Sequence, residues 1–271
     1  MSKAYKIICS ILLFIQALLF IFPLYWIVSG SFKDAIAINA RVPEFFPSSP
    51  TLDNYVRLFE EPSLQWLLNT VFMAFASLVL TCVCASLGGY VLAKKRFPGK
   101  NFIFSLMVAA MALPKQVVLI PLIQQMSFLG LHNTMFAVIL PIVGWPFGVF
   151  LMKQFSENIP NELLEAARID GAGEIRTFIE VAIPIIKPGI GALAIFTFIS
   201  SWNDYFLQLI MLNSRTKLTI SLGIAKLQSE AATDFGLIMA GAALSAIPII
   251  IVFLMFQKYF TKGITVGAVK G

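Results

Sequence analysis

The sequence predicts an all-helical, polytopic membrane protein with six transmembrane helices. Of its 271 residues, 58% are hydrophobic and 13% are charged, whereas soluble domains are about half apolar and about a quarter charged. Six apolar runs are each long enough to cross the hydrocarbon core of a bilayer, which is roughly 30 Å thick. They cover residues 7–28, 67–93, 102–123, 135–151, 190–212 and 237–256. We therefore expect a single transmembrane domain over residues 1–271.

The distribution of basic residues predicts the orientation of these spans. Six spans place both termini on one side, and 13 of the 20 lysine and arginine residues fall on that side, against six on the other. The short loop 93–100 alone carries four of them. Because cytoplasmic loops are enriched in lysine and arginine, we expect cytoplasmic amino and carboxyl termini, with a cytoplasmic tail at 258–271.

Two longer segments are predicted to lie outside the cytoplasm. The first, 31–63, is rich in proline, serine and acidic residues, and we expect one surface helix within it at 54–60. The last, 213–236, contains no long apolar run. The first apolar run is longer than a signal-peptide core and ends at Tyr25-Trp26 without a small-residue cleavage site, so we expect it to remain as a span.

Proline interrupts several of the predicted spans. Pro114 and Pro121 fall in the third, Pro141 and Pro146 in the fourth, and Pro248 in the sixth. In an isolated helix each would cost about 3 kcal/mol, but neighbouring helices in a membrane bundle can satisfy the freed carbonyls. Two interpretations remain open: kinked helices around a solute path, or bent helices that only pack tightly.

A short amphipathic helix is expected at 160–170, within the longest inner segment. Pro160 suits the first turn of a helix, Glu162 suits the positive end of the helix dipole, and Gly171 suits a left-handed stop. At 100° per residue the predicted helix has two distinct faces. Its polar face carries Asn161, Glu165 and Arg168, and its apolar face carries Leu163, Leu164 and Ala167.

This helix could lie on lipid or bind another protein. Amphipathic helices often lie in the membrane interface. The segment 153–183, however, has six acidic and three basic residues, so an anionic leaflet attracts it weakly. A basic protein partner is the favoured interpretation.

The inner segment also resembles a known motif. It reads Glu165-Ala166-Ala167-Arg168-Ile169-Asp170-Gly171-Ala172, followed by Ile183-Pro184, and is similar to the EAA loop of binding-protein-dependent ABC importer permeases. Further matches, similar to the sugar-importing branch and its maltose-type G subunit, are Ala112-Leu113-Pro114, Trp202-Asn203-Asp204 and the ending Gly267-Ala268-Val269-Lys270-Gly271. The similarity runs from about residue 69 to residue 271, with Gly173 as a departure where many relatives have serine.

The resemblance implies a type I importer permease fold and an assembly of several chains. Two different permeases would form a heterodimer around the pathway, in the bacterial cytoplasmic (inner) membrane. Two ATPase subunits would bind ATP and Mg²⁺, and an extracytoplasmic solute-binding protein would deliver the sugar. This chain would be a transporter subunit rather than an enzyme, with no cofactor of its own and no nucleic-acid partner. Its EAA loop, the segment 157–183, would couple to an ATPase.

Four groups of residues are candidates for these contacts. Coupling to the ATPase is expected of Glu165, Ala166, Ala167, Asp170 and Gly171. Contact with the binding protein is expected at Ser221 and Gln228, the alternative being a solvated loop. Tail contacts to the ATPase are expected at Gly267, Ala268, Val269, Lys270 and Gly271, the alternative being a frayed basic terminus. The pathway wall or outer gate is expected to include Lys115, Gln116, Trp202, Asn203 and Asp204.

Other functions find less support in the sequence. It contains no Gly-x-x-x-x-Gly-Lys-Ser/Thr loop, and His132 is its sole histidine, so neither a nucleotide site nor a metal site is expected. An ion-coupled carrier would need several ionisable residues in its spans, which here offer only Lys115 and Asp204. Lys115 has a structural alternative, a bond to a carbonyl freed by Pro114. An acidic sugar, a sugar phosphate or another polyol remains an alternative solute.

Overall fold

The computed structural model describes residues 3–230 and 234–268, and for Glu230 and residues 256–268 it describes the backbone. Every regular element in this part of the chain is helical, as the sequence predicts. The α-helices are α1 (Lys3–Ser31), α2 (Ala35–Ile38), α3 (Asp53–Glu60), α4 (Ser63–Lys94), α5 (Lys100–Met111), α6 (Leu119–Phe128), α7 (Met135–Val143), α8 (Phe147–Glu157), α9 (Asn161–Ile169), α10 (Glu174–Thr177), α11 (Ile183–Trp202), α12 (Tyr205–Met211), α13 (Ile220–Glu230) and α14 (Phe235–Ala268). The remaining elements are the 3₁₀ turns Lys115–Val118 and Arg215–Lys217 and the π turn Phe178–Ala182.

Five helical stretches among the described residues are long and apolar enough to cross a membrane. They are Lys3–Ser31, Ser63–Lys94, Met135–Glu157, Glu174–Trp202 and Phe235–Met255. A sixth candidate consists of Lys100–Met111 together with Lys115–Phe128, a pair bent by 102°. By length and composition, the described residues therefore contain five candidate spans, or six if the bent pair counts as one.

The third predicted span, 102–123, is not one continuous helix, and this expectation is corrected. α5 ends at Met111, and the chain turns by 102° before it becomes helical again at Lys115. Pro114 causes the break because it has no N–H for the preceding turn and disfavours helical backbone at Leu113. Its own ψ of 131° is far from helical.

The fifth predicted span, 190–212, is corrected at both ends. The apolar helix begins further upstream, and the candidate span is Glu174–Trp202. It stops before Asn203, and Asp204 then caps α12 by accepting a hydrogen bond from the Leu207 N–H (3.4 Å). An aspartate that binds first-turn N–H groups is a strong helix-start signal, so the chain ends one helix and begins another here.

The contacts divide the chain into two compact units, residues 1–67 with 218–248 and residues 68–217 with 249–271. In the first unit, Asn54 joins α3 to the end of α1, since its Nδ2 donates to the carbonyl oxygens of Ser31 (3.0 Å) and Lys33 (2.8 Å). The predicted surface helix at 54–60 is present as α3.

In the second unit, glycines allow α4 and α8 to approach each other closely. A Cβ added to Gly89 would lie 2.6 Å from the backbone nitrogen of Lys153. A Cβ added to Gly148 would lie 3.1 Å from the Cβ of Ala85. Both distances are below ordinary van der Waals contact, so the spacing of these two helices depends on glycine.

A buried core lies where α4, α8, α9, the π turn and α11 meet. It consists of Ala85, Tyr90, Met152, Ile159, Leu164, Phe178, Ala182, Ile186 and Leu193. Leu164 is the contribution of α9. The helix of the EAA loop is therefore packed against the membrane-spanning helices.

Candidate functional site

α9 ends in a Schellman motif, which confirms the predicted left-handed stop. Gly171 has φ +82°. Its N–H bonds to the Arg168 carbonyl (3.0 Å), and the Ala172 N–H bonds to the Ala167 carbonyl (2.9 Å). These two bonds satisfy carbonyls that a helix end leaves free. No neighbouring atom among the described residues lies within 4 Å of a Cβ built on Gly171, so the backbone conformation, not crowding, favours glycine.

One leucine anchors α9 to the core. Leu164 is 5% exposed, whereas Leu163 is 46% exposed. The predicted apolar face of Leu163, Leu164 and Ala167 is thus wrong in part. Adjacent residues on a helix lie 100° apart, so Leu163 and Leu164 cannot both face the core. Asn161 lies on the same side of α9 as Leu164, and its Oδ1 accepts a hydrogen bond from Lys94 Nζ (3.0 Å). This hydrogen bond favours burial of Leu164.

Lys94, at the end of α4, also fixes the start of the EAA loop. Its Nζ donates to the carbonyl oxygens of Glu157 (3.3 Å) and Ile159 (2.6 Å). A cation at the carboxyl end of a helix stabilises carbonyls that lack helical partners. Asn161, which helical spacing predicts beside Glu165 on the outward face, points towards Lys94 instead.

Two ion pairs connect the far end of the EAA loop to its surroundings. Glu174, the first residue of α10, pairs with Lys95. It also pairs with Arg168, whose Nη2 lies 3.2 Å from Oε1. Exposed pairs of this kind contribute little to stability. They join the start of α10 to Lys95, which directly follows α4, and to Arg168 of α9.

The outward side of α9 combines free carboxylates with apolar side chains. Glu165 is exposed and forms no hydrogen bond or ion pair with any residue that the structure describes. Ile169 is 86% exposed. Of the other candidate coupling residues, Ala166 and Asp170 are exposed and Ala167 is half-buried. Glu165 and Ile169 are therefore both accessible to a partner on this side of α9.

Three helix breaks in the second unit surround a cavity of about 110 Å³. The breaks that follow α5, α7 and α11 contribute Lys115, Trp145 and Asp204 respectively. Backbone that is not helical is tolerated at membrane depth only where it is buried in protein or lines a water-filled cavity. We call this space the three-break cavity.

Lys115 and Asp204 form an ion pair at the wall of this cavity. The Lys115 Nζ lies 3.5 Å from Asp204 Oδ2, and the two side chains are 50% and 17% exposed. The same ammonium lies 5.3 Å from the centroid of the Trp145 ring. Lys115 thus has a carboxylate for its partner, rather than a carbonyl freed by Pro114.

The other pathway candidates separate into two groups. Gln116 lines the cavity beside Lys115. Trp202 does not line it, because its side chain is 1% exposed and its ring lies 5.5 Å from that of Phe198 in the protein interior. Asn203 is exposed, and its Nδ2 donates to the Ile199 carbonyl (2.9 Å) of its own helix.

Two cavity residues, Thr81 and Trp145, are missed by sequence reasoning. Thr81 is 4% exposed, and its Oγ1 has no hydrogen-bond partner among the described residues. It lies in an apolar run of α4, where no neighbouring residue in the sequence marks it as part of a cavity. Trp145 stands between Gly144 and Pro146, and an aromatic residue between two helix-breaking residues is a signal that could have identified it.

Asn133 is a third missed residue, with a structural role. It adopts φ 59°, and its Oδ1 accepts hydrogen bonds from the N–H groups of Asn213 (3.0 Å) and Ser214 (3.1 Å). Asparagine tolerates left-handed backbone better than most residues. The neighbouring His132 Nε2 lies 3.3 Å from the Ile210 carbonyl oxygen. Within the described residues there is no group of three His, Cys, Asp or Glu side chains that could hold a metal ion.

The remaining candidates lie on helices. The segment 213–236 contains α13, which corrects the interpretation of it as a plain loop. On α13, Ser221 is half-buried and Gln228 is exposed. At the other end of the chain α14 continues through Gly267 to Ala268, whereas Val269, Lys270 and Gly271 lie outside the described residues.

Together these features define a class of protein: a multi-span membrane protein with a mainly apolar cavity, containing a few polar groups, between broken helices and an acidic helix packed at the ends of its candidate spans. The family described as binding-protein-dependent transport system inner membrane component matches residues 85–266. The chain belongs to this family, which confirms the resemblance seen in the EAA motif.

Relatives and a solved structure cover nearly the whole chain. The arabinooligosaccharides transport system permease protein AraQ of Halalkalibacterium halodurans is 36% identical over 94% of this chain and 93% of its own length. The maltodextrin transport system permease protein MdxG of Bacillus subtilis is 34% identical over 98% and 96%. A crystal structure of a bacterial ABC transporter that imports the acidic polysaccharide alginate matches with a TM-score of 0.84 and 26% identity, over 96% of this chain and 99% of that one.

Proposed function

We propose that the chain is the permease subunit of an ATP-driven importer that takes up a sugar or oligosaccharide delivered by a solute-binding protein. Its relatives are permeases of arabinooligosaccharide and maltodextrin transport systems, and they match more than nine-tenths of its length. In this proposal the chain lies in the bacterial inner membrane, with the loop 93–100, the EAA loop and both termini in the cytoplasm.

The assembly would follow the resemblance. A second, homologous permease would complete the pathway, and two ATPase subunits would supply the nucleotide site that this sequence lacks. α9 would bind one of them, with Glu165 opposite a basic group. The residues that end α14, followed by Val269, Lys270 and Gly271, would contact the ATPase pair, and Ser221 and Gln228 on α13 would contact the binding protein.

The observation that carries the proposal is that α9 is joined to α4 at its start and packed on the core through Leu164, while Glu165 stays exposed. Lys94 holds its start, the Schellman motif closes its end, and Leu164 packs beneath it. A movement imposed on Glu165 from outside would therefore be transmitted to α4 and α8 rather than absorbed by a flexible loop. An alternating-access permease needs such a connection between its ATPase and its spans.

The test compares two exposed glutamates in the assembled transporter. Glu165→Ala removes one partner of the expected ion pair, and truncating one partner of a desolvated pair typically costs about 3 to 5 kcal/mol. We expect at least a tenfold loss of ATPase that co-purifies with the permease, and a matching loss of uptake of arabinotriose or maltotriose. Glu60→Ala, which removes an exposed carboxylate from α3, is the control and should change neither quantity.

Two results would argue against this function. Equal ATPase recovery and equal uptake for Glu165→Ala and the wild type would contradict a role of α9 in coupling. Failure of the wild-type chain to associate with any ATPase subunit of its host cell would argue against the importer assignment itself.

A further inference from the structure

The charges of the three-break cavity cancel. Of the described residues that line it, Lys115 and Asp204 are the ones with a formal charge, and they pair with each other at 3.5 Å. The other polar groups of the lining, including Gln116 and Ser200, are neutral. A charged solute would lose its hydration here without meeting an unpaired opposite charge. An uncharged polar solute pays no such penalty.

The cavity also holds a hydroxyl without a partner. Thr81 lines it, is 4% exposed and has an Oγ1 that meets no hydrogen-bond partner among the described residues. Of the eight buried side-chain polar atoms without a partner among the described residues, the Thr81 hydroxyl is the one that lines this cavity. A hydroxyl of a bound molecule would satisfy this one, whereas an apolar occupant would not.

The aromatic side chains and the volume of the three-break cavity further restrict which molecule could occupy it. Trp145, Phe147 and Phe196 line the cavity together with several aliphatic side chains. An aromatic ring offers an electron-rich face, against which the weakly positive C–H groups of a sugar ring can pack. The volume of about 110 Å³ accommodates several water molecules, and we take a single sugar ring as the unit that it would hold.

We propose that the three-break cavity is a subsite on this chain for one uncharged sugar ring. The ring packs against the Trp145 indole, bonds to Thr81 Oγ1 and leaves the Lys115–Asp204 pair intact. This inference rests on the proposed function and adds two statements to it. This permease subunit binds the solute itself, and the solute is neutral at that position.

The first test uses two hydroxyls of α4. Thr81→Val keeps the shape of the side chain and removes the hydroxyl that lines the cavity. Ser77→Ala removes another fully buried hydroxyl without a partner among the described residues, four positions earlier and away from the cavity. Uptake of arabinotriose or maltotriose, whichever the wild type transports, is measured at limiting sugar-loaded binding protein and equal permease abundance.

We expect Thr81→Val to lower this uptake about 3- to 10-fold, as the loss of one hydrogen bond implies, and Ser77→Ala to leave it unchanged. Equal uptake for Thr81→Val and Ser77→Ala would overturn the assignment of Thr81 to a solute site.

The second test concerns the charge balance. Asp204→Asn keeps the capping function of the side chain, since asparagine and aspartate cap helices equally well, but leaves Lys115 unpaired. We expect it to lower uptake of the neutral trisaccharide at least tenfold. Adding Lys115→Met makes the cavity neutral again, and the double variant should recover to within about threefold of the wild type. A double variant no better than Asp204→Asn alone would overturn the requirement for neutrality.

The wild type distinguishes this inference from the proposed function. Uptake of trigalacturonate but of neither neutral trisaccharide would refute the neutral subsite while leaving a sugar importer in place. If the assembled wild type took up no sugar or oligosaccharide and none stimulated its ATPase, the proposed function would fail, and this inference with it.

Discussion

The EAA loop and the three-break cavity both form where helices stop, but they are built differently. The EAA loop takes its turn from neighbours in sequence, since Gly171 closes α9 through bonds within six residues and Glu174 returns to Arg168, while Lys94 and Lys95 attach it to α4. The cavity takes its walls from Thr81, Lys115, Trp145 and Asp204, which lie on four separate stretches of the chain. A loop encoded locally can keep one shape across relatives with different solutes. A cavity assembled from distant residues can change with any one of them.

The largest effect that separates the two regions is expected at Leu164. Leu164→Ala removes the buried anchor of α9, and such truncations cost about 2 to 5 kcal/mol. Leu163→Ala, its half-exposed neighbour, should change stability by no more than about 0.5 kcal/mol. Protease cleavage within 157–183 in inverted membrane vesicles measures the difference. If both variants were cleaved at the wild-type rate, Leu164 would not be the anchor.

Gly89 affects both regions, because α4 carries Thr81 at the cavity and Lys94 at the EAA loop. Gly89→Ala places a Cβ 2.6 Å from backbone of α8, and overpacking of this kind costs about 1 to 3 kcal/mol. Gly88→Ala meets Val149 at 3.4 Å, an ordinary contact, and serves as the control. The midpoint of thermal unfolding in detergent should fall for Gly89→Ala alone. Equal midpoints would mean that α4 and α8 can separate freely.

The smallest effect is expected at Gly171, where a substitution tests the left-handed backbone conformation alone. Gly171→Ala forces a residue with a Cβ into left-handed φ at a cost of about 1 to 2 kcal/mol, with no steric contact to confuse the result. Gly171→Asn should cost less, because asparagine also occurs at this helix-end position. The rate of protease cleavage within 157–183 should be lowest for the wild type, higher for Gly171→Asn and highest for Gly171→Ala. A different order would assign Gly171 a role other than its φ.

The same contrast explains how much the sequence alone predicts. Pro160 and Gly171 are local signals, and they predict the helix between them to within one residue at each end. Pro114 predicts a kink, but the 102° bend depends on the packing of the residues after it. Leu163 and Leu164 are chemically identical, and the hydrogen bonds of Lys94, some 70 residues away, decide which one is buried. Thr81 has no local signal, since its distinguishing feature is the cavity that other segments bring to it.

The π turn Phe178–Ala182 has a consequence for how this family can vary. A π turn closes i to i+5 hydrogen bonds, so it holds one more residue than an α-helical turn. Each added residue rotates the helix before the turn by about 100° relative to the helix after it. The rotation of α10, and of the part of the EAA loop that precedes it, relative to α11 is therefore set by a count of residues rather than by their identity. A one-residue deletion within this turn would reorient the loop, whereas most substitutions there would leave its direction unchanged.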